Sequence, residues 1–523
     1  MTETRRTLVR LAANYGRLAV TLVLGLAATR LVIAELGIDG FGLISLLGAS
    51  VGLAAIGREI VARSLVRELG AAYHSGDDGQ FVGVFNCALV VCLAVAGLCA
   101  LAFAGVGAVM PWLNIPDELI AAGRWFVVAK GAQLVVNVSL APLLNMYLIS
   151  ERMVAYNAYR TVDRVSMLLA ILTVIALPMS VSTGVIVFGA VTAGIEILVA
   201  IGFAAAMALH DRRLRPRAGA VSRAGIGSVL SIGKWNVVTV AAMSLHVRTD
   251  AVVMNLFFGT VGNMLFGLAL QLTSYSRMIA MGMTQGLDAV SARFSAGQAR
   301  RSLDQLVYHS TRLHGLVVFP ALGATLVLAE PLLRVWVGPR LEDPDVHLPN
   351  AAMLVMALTV GIGVRAISDG WVRILYGAGF IRRYAWWILV GGVVNPALAV
   401  VLILLLPGEW GLAGPAVAFS ASMVVFHGLI IPAIGARCLE MSLWRLYRPL
   451  VRPLVATALA MPVLVAGQWT IEAWSLLVLA GVGLAFGLLY TGLVAGIVLR
   501  AEDWRRVTGA LRRRPVAGRV PEG

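Results

Sequence analysis

Residues 36–43, Leu-Gly-Ile-Asp-Gly-Phe-Gly-Leu, hold no lysine or arginine and divide two apolar runs, 12–35 and 42–65. Their last three residues, Phe41-Gly42-Leu43, return as Phe266-Gly267-Leu268 at an offset of 225. Other landmarks repeat at nearly the same distance and at the same kind of turn: Gly76 and Gly297, Trp112 and Trp336, Tyr147 with Tyr156 and Tyr376 with Tyr384. One match in a chain rich in glycine and leucine carries no weight, but four in order at a near-constant offset mark an internal repeat. Six apolar runs separate each pair. An even number gives both halves one orientation, so the repeat is a parallel one about an axis along the membrane normal.

Outward from that turn, the whole chain reads as membrane. Of its 523 residues 59% are hydrophobic, and the mean hydropathy is +0.87, which leaves too little polar surface to cover a soluble core. Splitting the sequence at charged and Pro/Gly turns yields about 14 spans of the length a bilayer core requires. The expected fold is an all-α polytopic membrane protein. It has two parallel six-helix lobes around a central cavity and two extra C-terminal helices. The divisions are a cytoplasmic N-terminus at 1–11, an N-lobe at 12–229 ending in a basic linker at 210–229, and a C-lobe at 230–450. Two added spans at 451–499 and a basic tail at 500–523 complete the chain.

Charge sets the orientation. Only 13% of residues are charged, yet the net charge is +15. The arginines gather at alternate turns: Arg5, Arg6 and Arg10, then Arg67, Arg152, Arg212 to Arg217, Arg300 and Arg301, Arg382 and Arg383, Arg445 to Arg452, and Arg505 to Arg514. The turns at 36–41, 112–119, 178–184, 259–263, 407–413 and 468–473 have none, and Arg340 is the exception on that side. Positive residues stay in the cytoplasm. Both termini are therefore expected there, in a bacterial cytoplasmic membrane. The N-terminal run is too long for a signal peptide and meets Arg30 where a cleavage site would stand.

Several function classes drop out. The arginines sit in turns between apolar runs rather than on one soluble module, so no nucleic-acid partner is expected. Gly233-Lys234 has Ser228 where a nucleotide-binding loop needs glycine and Trp235 where it needs Ser or Thr. Cys87, Cys92, Cys99 and Cys438 lack metal or redox spacing, and the seven histidines are scattered, so no metal, cofactor or enzymatic centre is expected.

A charge at mid-bilayer costs about 2.5 to 3.5 kcal/mol, and each one retained there needs a reason. Glu196, Arg277 and Arg365 lie deep in their spans and either face a water-filled lumen or pair between helices. Arg365, Asp369 and Arg373 recur every four residues, as a cation, anion, cation ladder on one helix face. Arg30, Arg58, Lys130 and Arg248 lie in the first, second, fourth and seventh spans, where a cavity between lobes collects cations from both halves. The acids Glu59, Asp163, Glu196, Asp250 and Asp369 either neutralise that cavity or couple transport to an ion. Pro142, Pro320, Pro396 and Pro462 suit bent helices in a rocking molecule.

With these features in place, the chain resembles the polysaccharide (Wzx-type) flippases of the multidrug/oligosaccharidyl-lipid/polysaccharide exporter superfamily. The resemblance is carried by Glu35-Leu36-Gly37 through Phe41-Gly42, by Arg248-Thr249-Asp250 leading to Phe258-Gly259, and by Pro331-Leu332-Leu333 with Trp336-Val337-Gly338. It implies alternating access for an undecaprenyl-diphosphate-linked oligosaccharide. On this likeness Arg30, Arg58, Arg248, Arg277 and Arg365 are the candidates to hold the diphosphate or acidic sugars. Implied partners are that lipid-linked oligosaccharide, the bilayer lipids and a polysaccharide polymerase or export complex. The alternatives are a multidrug or small-solute antiporter of the same superfamily, a lipid II flippase, and a membrane glycosyltransferase or polymerase.

Overall fold

Inside lipid a backbone can satisfy its polar groups only as helix or closed barrel. The computed structural model of this chain, which describes residues 3–54, 65, 68–231, 234–284, 286–297 and 300–498, is helical and contains no strand among them. Helix α1 spans Glu3–Ala54, and α2 to α6 span Asp78–Val109, Asp117–Ser139, Ala141–Ile149, Met153–Ala176 and Val181–His210. Short α7, Arg223–Ser231, leads to α8, Lys234–Thr284, and then to α9, Leu287–Ala296. The remainder are α10 (Arg300–Val327), α11 (Ala329–Trp336), α12 (Pro344–Gly377), α13 (Ile381–Leu405), α14 (Gly414–Ser422), α15 (Ile431–Cys438), α16 (Leu443–Thr470) and α17 (Leu476–Leu493).

Two of these helices are hairpins. Gly37 has φ 65° and ψ −170°, and Gly259 has φ 62° and ψ −155°. A straight helix would hold Thr29 and Ser45 about 24 Å apart. Yet Gln271 Nε2 donates to Thr29 Oγ1 at 2.7 Å, while a side chain on Gly267, one helical turn away, would begin 2.6 Å from Ser45 Oγ. The chain must fold back at Gly37, and the matching geometry at Gly259 turns α8 in the same way. Only glycine occupies that backbone region without strain. Eleven helices are long and apolar enough to cross a membrane. With both hairpins counted as two arms and Met153–Ala176, which carries Arg160 and Arg164, included, the described residues supply the expected 14 spans. We expect Gly37→Ala or Gly259→Ala to lower the unfolding free energy by about 2 kcal/mol, read as a drop in thermal midpoint in detergent; an unchanged midpoint would rule out the strained turn.

The sequence repeat shows its purpose at the seam between halves. A side chain on Gly42 would begin 2.1 Å from the backbone oxygen of Thr260, and Gly267 lies against Ser45 and Phe41. Each Phe-Gly-Leu triplet thus presents a bare backbone to the other half, and α1 packs on α8 down its length. At the arginine-poor end Asn255 acts as a backbone mimic, accepting from Asn114 N at 3.0 Å and donating to Asn114 O at 3.0 Å. Thr260 hydrogen-bonds to Asp39 there, and Trp336 Nε1 reaches Leu26 O at 2.9 Å. Past Tyr275, Ser276 and Arg277 of α8 bond within their own half, to Thr325 at 2.7 Å and Asp369 at 2.5 Å, and Ser291 Oγ of α9 donates to Ile374 O at 2.7 Å. Among the described residues the hydrogen bonds between the halves run from the arginine-poor end to Gln271 and Arg248.

Helices α16 and α17 pack outside this pair. Gly315 and Gly323 of α10 lie against Leu450, Pro453 and Thr457 of α16, and Gly467 admits Val482 of α17. Leu93, Leu98, Leu198, Leu404, Leu476 and Leu488 are exposed, as lipid-facing positions should be.

Candidate functional site

Arg30 follows Thr29 on the first arm of α1, about 100° round the helix from it. It is partly exposed and has no hydrogen bond or ion pair among the described residues. Arg248, on the first arm of α8, crosses the seam between the halves. Its Nη1 donates to Gly48 O at 3.3 Å, and a Cβ on Gly52 would fall 1.3 Å from Nη1, so the guanidinium lies flat where glycine leaves room. Arg58 and Glu59 lie outside the described residues.

Lys130 takes a different position. Its ammonium lies 3.4 Å from Glu196 and donates to Gln133 at 2.8 Å, and Gln133 and Ser166 also donate to Glu196. Helices α3, α5 and α6 therefore close a neutral pair within the first half. Asp163 is exposed and lies 3.5 Å from Arg164.

The ladder on α12 forms, but its middle rung faces elsewhere. Asp369 Oδ2 accepts from Arg277 Nη2 at 2.5 Å and Nε at 3.1 Å, so the partner comes from α8 rather than from its own helix. Arg365, one turn away, keeps a buried Nε with no hydrogen-bond partner. Glu196 and Arg277 thus adopt interhelical pairing, and Arg365 is left over.

Asp250 is fully buried; Asn395 Nδ2 donates to its Oδ1 at 2.8 Å and Oδ2 has no partner. Beside it lies a group that the sequence reading passed over as scattered histidines. His246 and His427 are fully buried with ring centroids 6.1 Å apart, and Ser368 Oγ lies 3.2 Å from His427 Nδ1. His427 rides on a π-helical segment, Met423–Ile430, between α14 and α15. Such segments often mark functional positions. Pro432 has no N–H for the Gly428 carbonyl four residues back, and Tyr447 O–H donates to it instead. The only sequence signals were His246 and Asp250 one turn apart in an apolar span and a histidine within another.

A cleft of about 340 Å³ lies on the arginine-rich face of the first half, bordered by Arg152, His210 and Arg213. Arg213 binds Asp211 at 2.7 Å and Asp78 at 2.6 Å. Its hydrogen bonds hold the Asp211 carboxyl below the ordinary carboxylate range, so this corner is nearly self-neutralised.

This arrangement is that of a polytopic helical membrane protein built of two like halves with charged groups at membrane depth. No family model matches the chain. It is 21% identical over 492 residues, 91% of its length and 93% of the relative's, to the uncharacterized membrane protein EpsK of Bacillus subtilis (strain 168). Its fold is similar to that of the lipid II flippase MurJ in an inward closed conformation, with a TM-score of 0.68 over 93% of this chain and 99% of that one at 11% identity. It is also similar to a multidrug resistance MATE family transporter of the MOP superfamily in an inward-facing conformation, with a TM-score of 0.66 over 81% of this chain and 98% of that one at 14% identity. The fold class expected from the repeat is the one these transporters and flippases share.

Proposed function

We propose that this chain is a flippase rather than an enzyme. It carries an undecaprenyl-diphosphate-linked oligosaccharide across a bacterial cytoplasmic membrane by alternating access, for export of a surface polysaccharide. One observation carries the reading: two guanidinium groups at membrane depth have no acidic partner among the described residues, against the one carboxylate, of Asp250, that has no cation. Glu196 is held by Lys130, and Asp369 by Arg277, whereas Arg30 and Arg365 have no ion-pair partner among the described residues. Diphosphate oxygens suit such unmet guanidinium donors, which grip phosphate in pairs. The likeness in fold to a lipid II flippase over 93% of the chain is in keeping with that class.

Asp250 is the proposed coupling residue, because its second oxygen is buried and unmet beside Asn395. That carboxylate also favours the second reading, a cation-coupled multidrug or small-solute antiporter. Deleting the gene and measuring surface polysaccharide, lipid-linked intermediates and drug susceptibility in the same cells separates the two. Loss of surface polymer with intermediates accumulating inside, restored by the wild-type gene but not by Arg365→Ala or Arg30→Ala, is the expected result. Normal polymer with heightened drug sensitivity would establish the antiporter, and lysis on depletion would mark a lipid II flippase.

A further inference from the structure

Helix α16 begins with Arg445, Arg448 and Arg452 in its first ten residues. Arg445 lies 3.7 Å from Asp304. Arg448 and Arg452, one turn apart, have no ion pair or hydrogen bond among the described residues. Together with Tyr308, Arg312, Trp444 and Val498 they border a cleft of about 230 Å³ where α10, α16 and the end of the α17 span meet, and no acidic residue among the described ones borders it. Arg312 is 9% exposed and donates Nη2 to Val498 O at 2.7 Å, which fixes its guanidinium in the wall. All three helices meet at their arginine-rich ends. From this cleft Val451, Val455 and Leu459, all exposed, run along one face of α16 toward its far end.

We infer that this cleft binds an anionic phospholipid, its phosphate between Arg448 and Arg452 and an acyl chain along Val451, Val455 and Leu459. Arginines that only reach for headgroups need no enclosure. Here two unpaired guanidinium groups and a third held in the wall surround one concavity, an arrangement suited to lipid phosphate between transmembrane helices. The apolar strip decides between sources of phosphate, because a free anion would have no use for it. Trp444 adds an amphipathic ring at the rim, the usual place for tryptophan at a membrane interface. The site stands apart from the seam and does not depend on the cargo.

The test uses the full chain, stripped of lipid in neutral detergent and examined by native mass spectrometry with phosphatidylglycerol, phosphatidylcholine or inorganic phosphate. Wild type should retain one phosphatidylglycerol in preference to phosphatidylcholine. Arg448→Gln and Arg452→Gln should each weaken retention about fivefold, and the pair about thirtyfold. Arg448→Lys with Arg452→Lys should keep most of it, and Arg215→Gln with Arg217→Gln, on another exposed arginine-rich turn, should change nothing. Unchanged retention in the glutamine pair, equal binding of phosphatidylcholine, or displacement of the lipid by inorganic phosphate alone at matched concentration would each overturn the assignment. The exposed single variants keep the test decisive if the double variant fails to fold.

Discussion

Arg277→Ala should destabilise the protein by about 3 kcal/mol, and Arg277→Ala combined with Asp369→Ala should recover most of that loss. The pair is mostly enclosed, with side-chain exposures of 18% and 20%, and Arg277 gives two hydrogen bonds to the same carboxylate oxygen. Removing the cation leaves Asp369 in a low-dielectric site with only Arg365 a turn away, and that arginine is not bonded to it. Removing both groups takes away the desolvation cost along with the attraction, so the double variant ends closer to wild type than either single one. Thermal unfolding of the four proteins in one detergent measures the coupling. Single variants that cost under about 1 kcal/mol and add without interaction would show that the pair is solvated and structurally idle. Under the proposed function the stable double variant should keep export, since it removes a neutral pair and leaves Arg30 and Arg365 in place.

Joining the halves covalently at the arginine-poor end should stop transport. Asp39 and Thr260 side chains already touch across the two hairpin turns, so Asp39→Cys with Thr260→Cys places two thiols within reach. The protein's own thiols do not compete, because Cys87, Cys92 and Cys99 are buried in the first half and Cys438 lies in α15. A rocking mechanism must part Asn114 from Asn255 and Asp39 from Thr260 in each cycle. Oxidation should therefore reduce export at least about tenfold, as expected when one of two required states becomes inaccessible, and a permeant reductant should restore it. Full export by the oxidised, cross-linked protein would exclude alternating access through this end.

Much of this was legible before any coordinates. The arginine-free turn at 36–43 marks a reversal, and the arginine-free turn at 259–263, just before the repeated triplet at 266–268, marks the second one, because a bilayer admits few ways to turn a chain and glycine is needed at such bends. Depth was legible too: a charge in the middle of an apolar run, such as Arg277 or Glu196, needed either a lumen or a partner. Pairing was not. Asp369 lies four residues from both Arg365 and Arg373, which made its own helix the natural source of a partner, yet it bonds to a residue 92 positions earlier. Lys130 read as one more cation for the cavity, and it is tied to Glu196, 66 positions on. His246, Asn395 and His427 gave no pattern in sequence because they come from three helices.

What the sequence alone determined was one-dimensional: which segments cross the bilayer, which ends carry arginine, and where two like halves begin, since transfer free energy and charge act on each span by itself. Which charges are neutralised and which remain for an anion was decided only in the tertiary structure. Helical periodicity tells which face a residue occupies, but the group opposite that face depends on the packing of another helix, and for Arg365 the packing leaves its Nε with none.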